Sequence, residues 1–127
     1  IDCDVIQADA GTRTAAITGA WLGLKRGCNQ LLENGELSEM PLKGQVAAVS
    51  VGAVNSRNLL DLNYSEDSKA DVDLNVVMDN QGRFLEIQGT AEREPFSKSQ
   101  LLELLDLAEL GISQLHSSQL LALSDEG

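Results

Sequence analysis

Apolar and polar positions divide the chain into short extended stretches and two long helical ones. Val5, Ile6 and Ala8 fit a half-buried strand, and Gly11 permits a tight bend behind it. From Thr14 to Leu32 the period changes: Ile17, Ala20, Trp21, Leu24, Cys28, Leu31 and Leu32 recur at three- and four-residue steps and predict a helix with one apolar stripe, Trp21 within it as a core residue. Asn34-Gly35 stops that helix because both residues tolerate the left-handed conformation of a C-cap, and Pro41 bars its resumption. Gln45 to Val54 is a nearly continuous apolar run, which predicts an inner strand covered on both faces. Asn55 to Asn58 reads as a turn and Leu59 to Leu62 as a returning strand. Val72, Leu74, Val76 and Met78 alternate with Asp73 and Asn75, Asp79 to Gly82 turns the chain, and Arg83 to Gly89 pairs back as a hairpin. Ser97-Lys-Ser-Gln100 forms a capping box for a last helix. Leu101, Leu104, Leu105, Ala108, Ile112 and Leu115 give that helix its apolar face, which Leu102, Leu107 and Leu110 widen. Ser124 to Gly127 reads as a frayed acidic tail.

The plan is one α/β domain over residues 1–127, with a strand-turn-helix unit at 1–35 and a mixed sheet with its final helix at 44–123. Nine Lys plus Arg against 20 Asp plus Glu leave a net charge of −11, which argues against a general basic surface for gripping nucleic-acid backbones. Cys3 and Cys28 lie far apart, so neither a zinc cluster nor a disulfide framework is suggested, and two buried thiols in a reducing compartment are expected. No apolar run approaches membrane-spanning length and the start has no signal-peptide pattern, so the chain reads as soluble and cytoplasmic. Ile1 is not a start methionine, which makes an upstream segment plausible.

Two constellations carry chemistry. The bend at Gly11, Thr12 and Arg13 meets a helix N-terminus, where unpaired N–H groups, a hydroxyl and a guanidinium would suit an oxyanion. Glu66, Asp67, Asp71 and Asp73 form an acidic cluster beside and on a strand, with Lys69 the only cation close in sequence. Such a patch repels itself unless it is solvated or bridged by a hard divalent cation. Both features have plain structural readings, as an ordinary turn and a solvated acidic loop. Together they meet the needs of metal-assisted phosphoryl chemistry, which asks for positioning and charge neutralisation more than for a side-chain nucleophile. No Ser-His-Asp or Cys-His set is evident, and His116, late in the last helix, is expected to be structural.

Gln7-Ala-Asp-Ala-Gly-Thr-Arg-Thr-Ala-Ala-Ile-Thr-Gly-Ala20 resembles a segment of the bacterial ribonuclease PH family. Leu60-Asp-Leu-Asn-Tyr-Ser-Glu-Asp-Ser-Lys-Ala-Asp-Val-Asp-Leu-Asn-Val-Val-Met78, then Leu85-Glu-Ile-Gln-Gly-Thr-Ala-Glu92 and Glu94-Pro-Phe-Ser97, resemble it in order and spacing. The likeness runs to about His116 and is to the carboxyl-terminal half of a family subunit, related to polynucleotide phosphorylase and exosome ring subunits. It implies a ribosomal protein S5 domain 2-like unit, in homohexameric rings built as trimers of dimers. It also implies a phosphorolytic 3′-to-5′ exoribonuclease, in which inorganic phosphate attacks the terminal linkage of RNA, releases nucleoside diphosphates and trims tRNA precursor 3′ ends, with rRNA processing alongside. The family's phosphate-binding Gly-Thr-Arg falls on Gly11, Thr12 and Arg13, and its paired aspartates fall on Asp67 and Asp73 as catalytic residues and ligands of Mg²⁺ or Mn²⁺; Asp71 is a further candidate. Asp67 is also a candidate for handing a proton to the leaving hydroxyl. Ala10 stands where the family usually has Gly, and if the backbone there needs positive φ its Cβ costs about 1 kcal/mol or more. The resemblance implies that part of the RNA contact comes from the absent half and from neighbouring subunits. A non-catalytic ring subunit and an anion- or RNA-binding module of the same fold are the rival readings.

Overall fold

The computed structural model describes residues 1–124; the acidic end of the chain at 125–127 lies outside the described residues. The elements are α1 (Thr12–Glu33), β1 (Val46–Val54), β2 (Arg57–Leu60), α2 (Tyr64–Asp67), β3 (Val72–Asp79), β4 (Phe84–Ala91) and α3 (Lys98–Ser124). The strands form one sheet in the order β2-β1-β3-β4. Every neighbouring pair is antiparallel, so the mixed character of the fold lies in helices laid on a sheet and not in strand direction. Its inner strand β1 is buried along nearly its whole length, as the apolar run predicts.

Alternation decides the core. Ala47, Val49, Val51 and Ala53 of β1 and Val72, Leu74, Val76 and Met78 of β3 share one face and pack against Leu104, Ala108 and Ile112 of α3. Leu101, Leu105, Leu107 and Leu115 complete the packing, whereas Leu102 and Leu110 are 52% and 56% exposed and belong to the outer side of the helix. At the start of α3, Ser97 Oγ accepts from Gln100 N at 3.1 Å and Gln100 Oε1 accepts from Ser97 N at 2.9 Å, the reciprocal capping box the sequence predicts. Gly35, at φ 74°, closes α1, with Glu36 N donating to Leu31 O at 2.8 Å.

The opening stretch is not a strand. Residues 1–10 have no regular structure, and Val5 and Ile6 are 56% and 100% exposed. An extended segment needs a neighbouring strand for its backbone groups, and none of the four strands pairs with this one. Cys3 is accordingly exposed, and only Cys28 is a buried thiol. β2 begins two residues earlier than expected because Asn55 and Ser56, at φ 49° and 61°, make a two-residue turn of the primed type, which leaves Arg57 already paired with Val54. Leu24 and Leu31 are more exposed than one apolar stripe implies.

α1 is tied to the sheet by polar groups. β2 pairs with β1 only from Val51 to Val54, so the rest of that edge of β1 lacks a strand partner. Thr18 Oγ1 fills the gap, accepting from Ala48 N at 3.0 Å and donating to Ala48 O at 3.1 Å. The Gln119 amide of α3 donates to Val46 O at 3.0 Å and to Thr18 O at 2.9 Å. His116 borders this network, its Nδ1 lying 3.3 Å from Gln119 Oε1. Trp21 is part-buried and donates from Nε1 to Gly44 O at 2.8 Å.

Candidate functional site

The sheet face opposite α3 carries the polar residues. Along it the register aligns Ala48, Val77 and Glu86, then Ser50, Asn75 and Gln88, then Gly52, Asp73 and Thr90. The N-terminus of α1, beside Ser50, and Asp73 of β3 lie along this face, with the Asp67 charge of α2 acting on Asp73.

Gly11 is the N-cap of α1, at φ 66° and ψ 27°, and no side chain caps the helix. No acidic residue occupies the first turn, although the Asp61 carboxylate lies nearby, its Oδ1 3.9 Å from where a β-carbon on Gly11 would stand. The left-handed φ belongs to Gly11 and not to Ala10, which is absent from the positive-φ residues, so the strain expected of Ala10 does not arise. A β-carbon on Gly11 would stand 3.3 Å from both Ser50 Oγ and Thr14 Oγ1. Thr14 is buried and donates to Gly11 O at 2.9 Å, which closes the turn from below. Thr12 and Arg13 are exposed. Arg13 does not stand free: its Nη1 and Nη2 donate to the two carboxylate oxygens of Glu86 on β4 at 2.7 and 3.0 Å. The pairing raises the Arg13 pKa and holds Glu86 below the usual carboxylate range.

The acidic cluster divides by task. α2 is a single turn whose N-cap Asn63 and Glu66 form a capping box, so Glu66 is engaged in holding the helix. Asp67 closes that turn, and Asp73 lies on β3 opposite Gly52 and Thr90. Asp73 Oδ1 is buried and has no hydrogen-bond partner. Burial pushes the Asp73 pKa up, and the neighbouring charges of Asp67 and Glu92 push it further in the same direction. Asp67 and Asp73 are therefore brought within electrostatic reach of each other, with Glu92 as a third negative neighbour. Asp71 is placed by its main chain, its N–H donating to Ala53 O at 2.7 Å and its carbonyl accepting from Glu92 N at 2.8 Å, bonds that do not involve its carboxylate.

The two constellations share one surface. Ser50, beside Gly11, faces Asn75, and Asp73 is the next residue on that face of β3, about 7 Å farther along the strand. A second link is a hydrogen bond: Asp9 Oδ1, two residues before Gly11, accepts from Tyr64 N at 2.7 Å, which ties the bend to the turn that carries Asp67. Ser50 Oγ is itself buried without a partner. The sequence reading passed over Ser50, Asp9, Glu86 and Glu92. A lone hydroxyl inside the apolar run Ala47 to Val54 was a signal for Ser50; the others depend on contacts between residues distant in sequence.

Among the described residues, no three His, Cys, Asp or Glu side chains form a group that could hold a metal ion. Two carboxylates, one with a sealed-off unpaired oxygen, still suit Mg²⁺, which takes one or two protein carboxylates and completes its shell with water and substrate phosphate. Among the described residues, no helix is long and apolar enough to cross a membrane.

The family model described as 3′ exoribonuclease family, domain 2, matches residues 44–111. Ribonuclease PH of Prochlorococcus marinus (strain MIT 9313) is 66% identical over 126 residues, covering 99% of this chain and 52% of the relative. Ribonuclease PH of Synechococcus sp. (strain CC9605) is 66% identical over 125 residues, covering 98% of this chain and 51% of the relative. The chain thus spans about half the length of the curated relatives it matches, namely their carboxyl-terminal half. Among solved structures, rice (Oryza sativa) Rrp46 aligns with a TM-score of 0.70 at 18% identity, over 94% of this chain and 51% of that one, which speaks for the fold alone.

Proposed function

The chain belongs to the 3′ exoribonuclease family, as its ribonuclease PH-like carboxyl-terminal domain, and from that premise we propose that it carries the phosphate and metal sites of a phosphorolytic 3′-to-5′ exoribonuclease. The observation that carries the reading is the placement of an uncapped helix N-terminus at Gly11 and an unpaired buried carboxylate oxygen at Asp73 on one face of the sheet.

In this reading the N–H groups at the start of α1, Thr12 Oγ1 and the Arg13 guanidinium hold inorganic phosphate. Its oxygen attacks the phosphorus of the 3′-terminal linkage, the 3′ oxygen of the penultimate nucleotide leaves, and a nucleoside diphosphate is released. Asp67 and Asp73 hold Mg²⁺ or Mn²⁺, which when bound would neutralise charge on the linkage and the leaving oxygen. Asp67 would also assist the transfer of a proton from the incoming phosphate to the leaving 3′ oxygen, which departs as a hydroxyl. Asp9 ties the turn to α2, which carries Asp67, and Asp73 stands on the neighbouring strand, so nucleophile and linkage would meet with little motion to lose.

The substrates proposed are tRNA precursor 3′ ends, with rRNA precursors beside them, and the working assembly is a homohexamer arranged as a trimer of dimers in the cytoplasm. With a net charge of −11, this domain leaves much of the RNA grip to the other half of the subunit and to neighbouring subunits, and the 127-residue chain alone is expected to be inactive. The test joins these residues to a family amino-terminal half and follows RNA shortening with and without phosphate. Phosphate-dependent diphosphate release that is lost in Arg13→Ala supports the reading. Release of monophosphates by water, or normal turnover in Arg13→Ala, overturns it.

A further inference from the structure

Both outer nitrogens of Arg13 are engaged by one carboxylate. Glu86 Oε1 and Oε2 accept from Nη1 and Nη2 at 2.7 and 3.0 Å, the end-on fork that a phosphate would require for two parallel hydrogen bonds. Glu86 is held for that contact by the sheet: it lies opposite Val77 and is the part-buried residue in an otherwise exposed β4. A carboxylate is flat and carries one charge, and it fills the guanidinium fork that a tetrahedral anion bound to Arg13 would use. The two anions cannot share that fork without close like-charge contact.

We propose that Glu86 is a built-in competitor of inorganic phosphate, holding the Arg13 guanidinium near the Gly11 turn when the anion is absent and giving it up when the anion binds. The inference rests on the proposed phosphate site at Gly11, Thr12 and Arg13. Glu86 then works as a positioning residue that sets how much phosphate the site needs, and it takes no part in the bond changes themselves. The arrangement keeps a long, mobile side chain near its working place and keeps other weakly bound anions from a bare guanidinium. It lowers apparent phosphate affinity by the fraction of time the ion pair is closed.

The test measures the KM for phosphate in the full-length subunit, for wild type, Glu86→Gln and Arg13→Ala. Glu86→Gln keeps the length of the side chain and removes its charge. An exposed ion pair of this kind shifts an equilibrium by at most about fivefold, so the KM for phosphate should fall by about two- to fivefold. A fall in KM is a gain that damage to the fold does not produce. An unchanged or raised KM in Glu86→Gln, with Arg13→Ala impaired, overturns the competitor role and leaves the phosphate site standing. An Arg13→Ala subunit with wild-type phosphate dependence removes the phosphate site itself, and this inference with it.

Discussion

Asp73→Asn should make the metal-free protein more stable while removing its response to Mg²⁺. The folded state raises the Asp73 pKa, by burial first and then by the charges of Asp67 and Glu92. A carboxyl group whose folded pKa lies above its unfolded one costs stability when ionised, so the cost is fully present at neutral pH and is relieved as pH falls through the folded pKa. Asparagine also leaves a polar atom unpaired there, so the exchange relieves only the burial and repulsion of the charge, worth roughly 1–3 kcal/mol for a carboxyl group displaced in this way. Only Oδ1 is sealed off and the residue as a whole is part-buried, so water screens the rest of the group and the lower end, about 1 kcal/mol, applies. The neutral amide keeps the shape and escapes the repulsion from Asp67 and Glu92. For a domain of this size about 1 kcal/mol corresponds to a rise in Tm of about 4 °C. Thermal melts in a chelator at neutral pH measure it. Repeating them with Mg²⁺ at about 100 times its Kd should stabilise the wild type by about 2.7 kcal/mol and leave the variant where it was. A lower Tm for Asp73→Asn in chelator, or an undiminished gain with Mg²⁺, would refute the view that this oxygen awaits a cation.

Two further outcomes test the frame around the site. Thr18→Val keeps the β-branched shape in α1 but orphans Ala48 N and O, so the urea midpoint should fall by an amount worth about 2–4 kcal/mol at unchanged m; a loss under about 0.5 kcal/mol would mean that water replaces the hydroxyl at that edge. Asp79 is held below its ordinary value of 3.8 chiefly by the backbone N–H of Arg83, so its stabilisation is present above that value and disappears as pH falls through the folded pKa; Asp79→Asn should therefore be less stable than wild type at neutral pH and converge with it once the pH has fallen below the folded pKa, and a constant gap between the two would contradict the assignment.

Features that depend on neighbours in sequence were legible before any coordinates. The stripe from Ile17 to Leu32, the alternation from Val72 to Met78 and the Ser97–Gln100 box each contain their own signal, and the structure places α1, β3 and α3 accordingly. Features that depend on a distant partner were not. Val5 and Ile6 have the composition of a strand, yet pairing decides, and no strand of the sheet takes them up. Asn55-Ser56 gave no glycine to mark a two-residue hairpin turn, so β2 was read two residues late. Arg13 was legible as a candidate anion ligand, but its ion pair with Glu86 joins residues 73 positions apart, and no local pattern encodes it. Asp67 and Asp73 were picked out of a four-residue acidic cluster by resemblance. The fold sorts only part of that cluster, since it engages the Glu66 side chain in a cap while the backbone bonds of Asp71 do not involve its carboxylate.

The placement of the site follows from how α1 is held. Only Thr14 and Cys28 of this helix are buried, so hydrophobic packing alone fixes its height over the sheet poorly. Hydrogen bonds do it instead: Thr18 docks on both polar groups of Ala48, Gln119 bridges Thr18 O to Val46 O, and Asp9 reaches Tyr64 N. These bonds are directional and short, so they set position along β1 to within a fraction of a residue, which a sliding apolar contact does not. Ala48 and Ser50 are neighbours on the same face of β1, and the register carries that position across to Asn75 and Asp73. A strand-edge hydrogen bond made by a threonine, nearly two helical turns inside α1, thereby governs the separation between the Gly11 turn and the carboxylates.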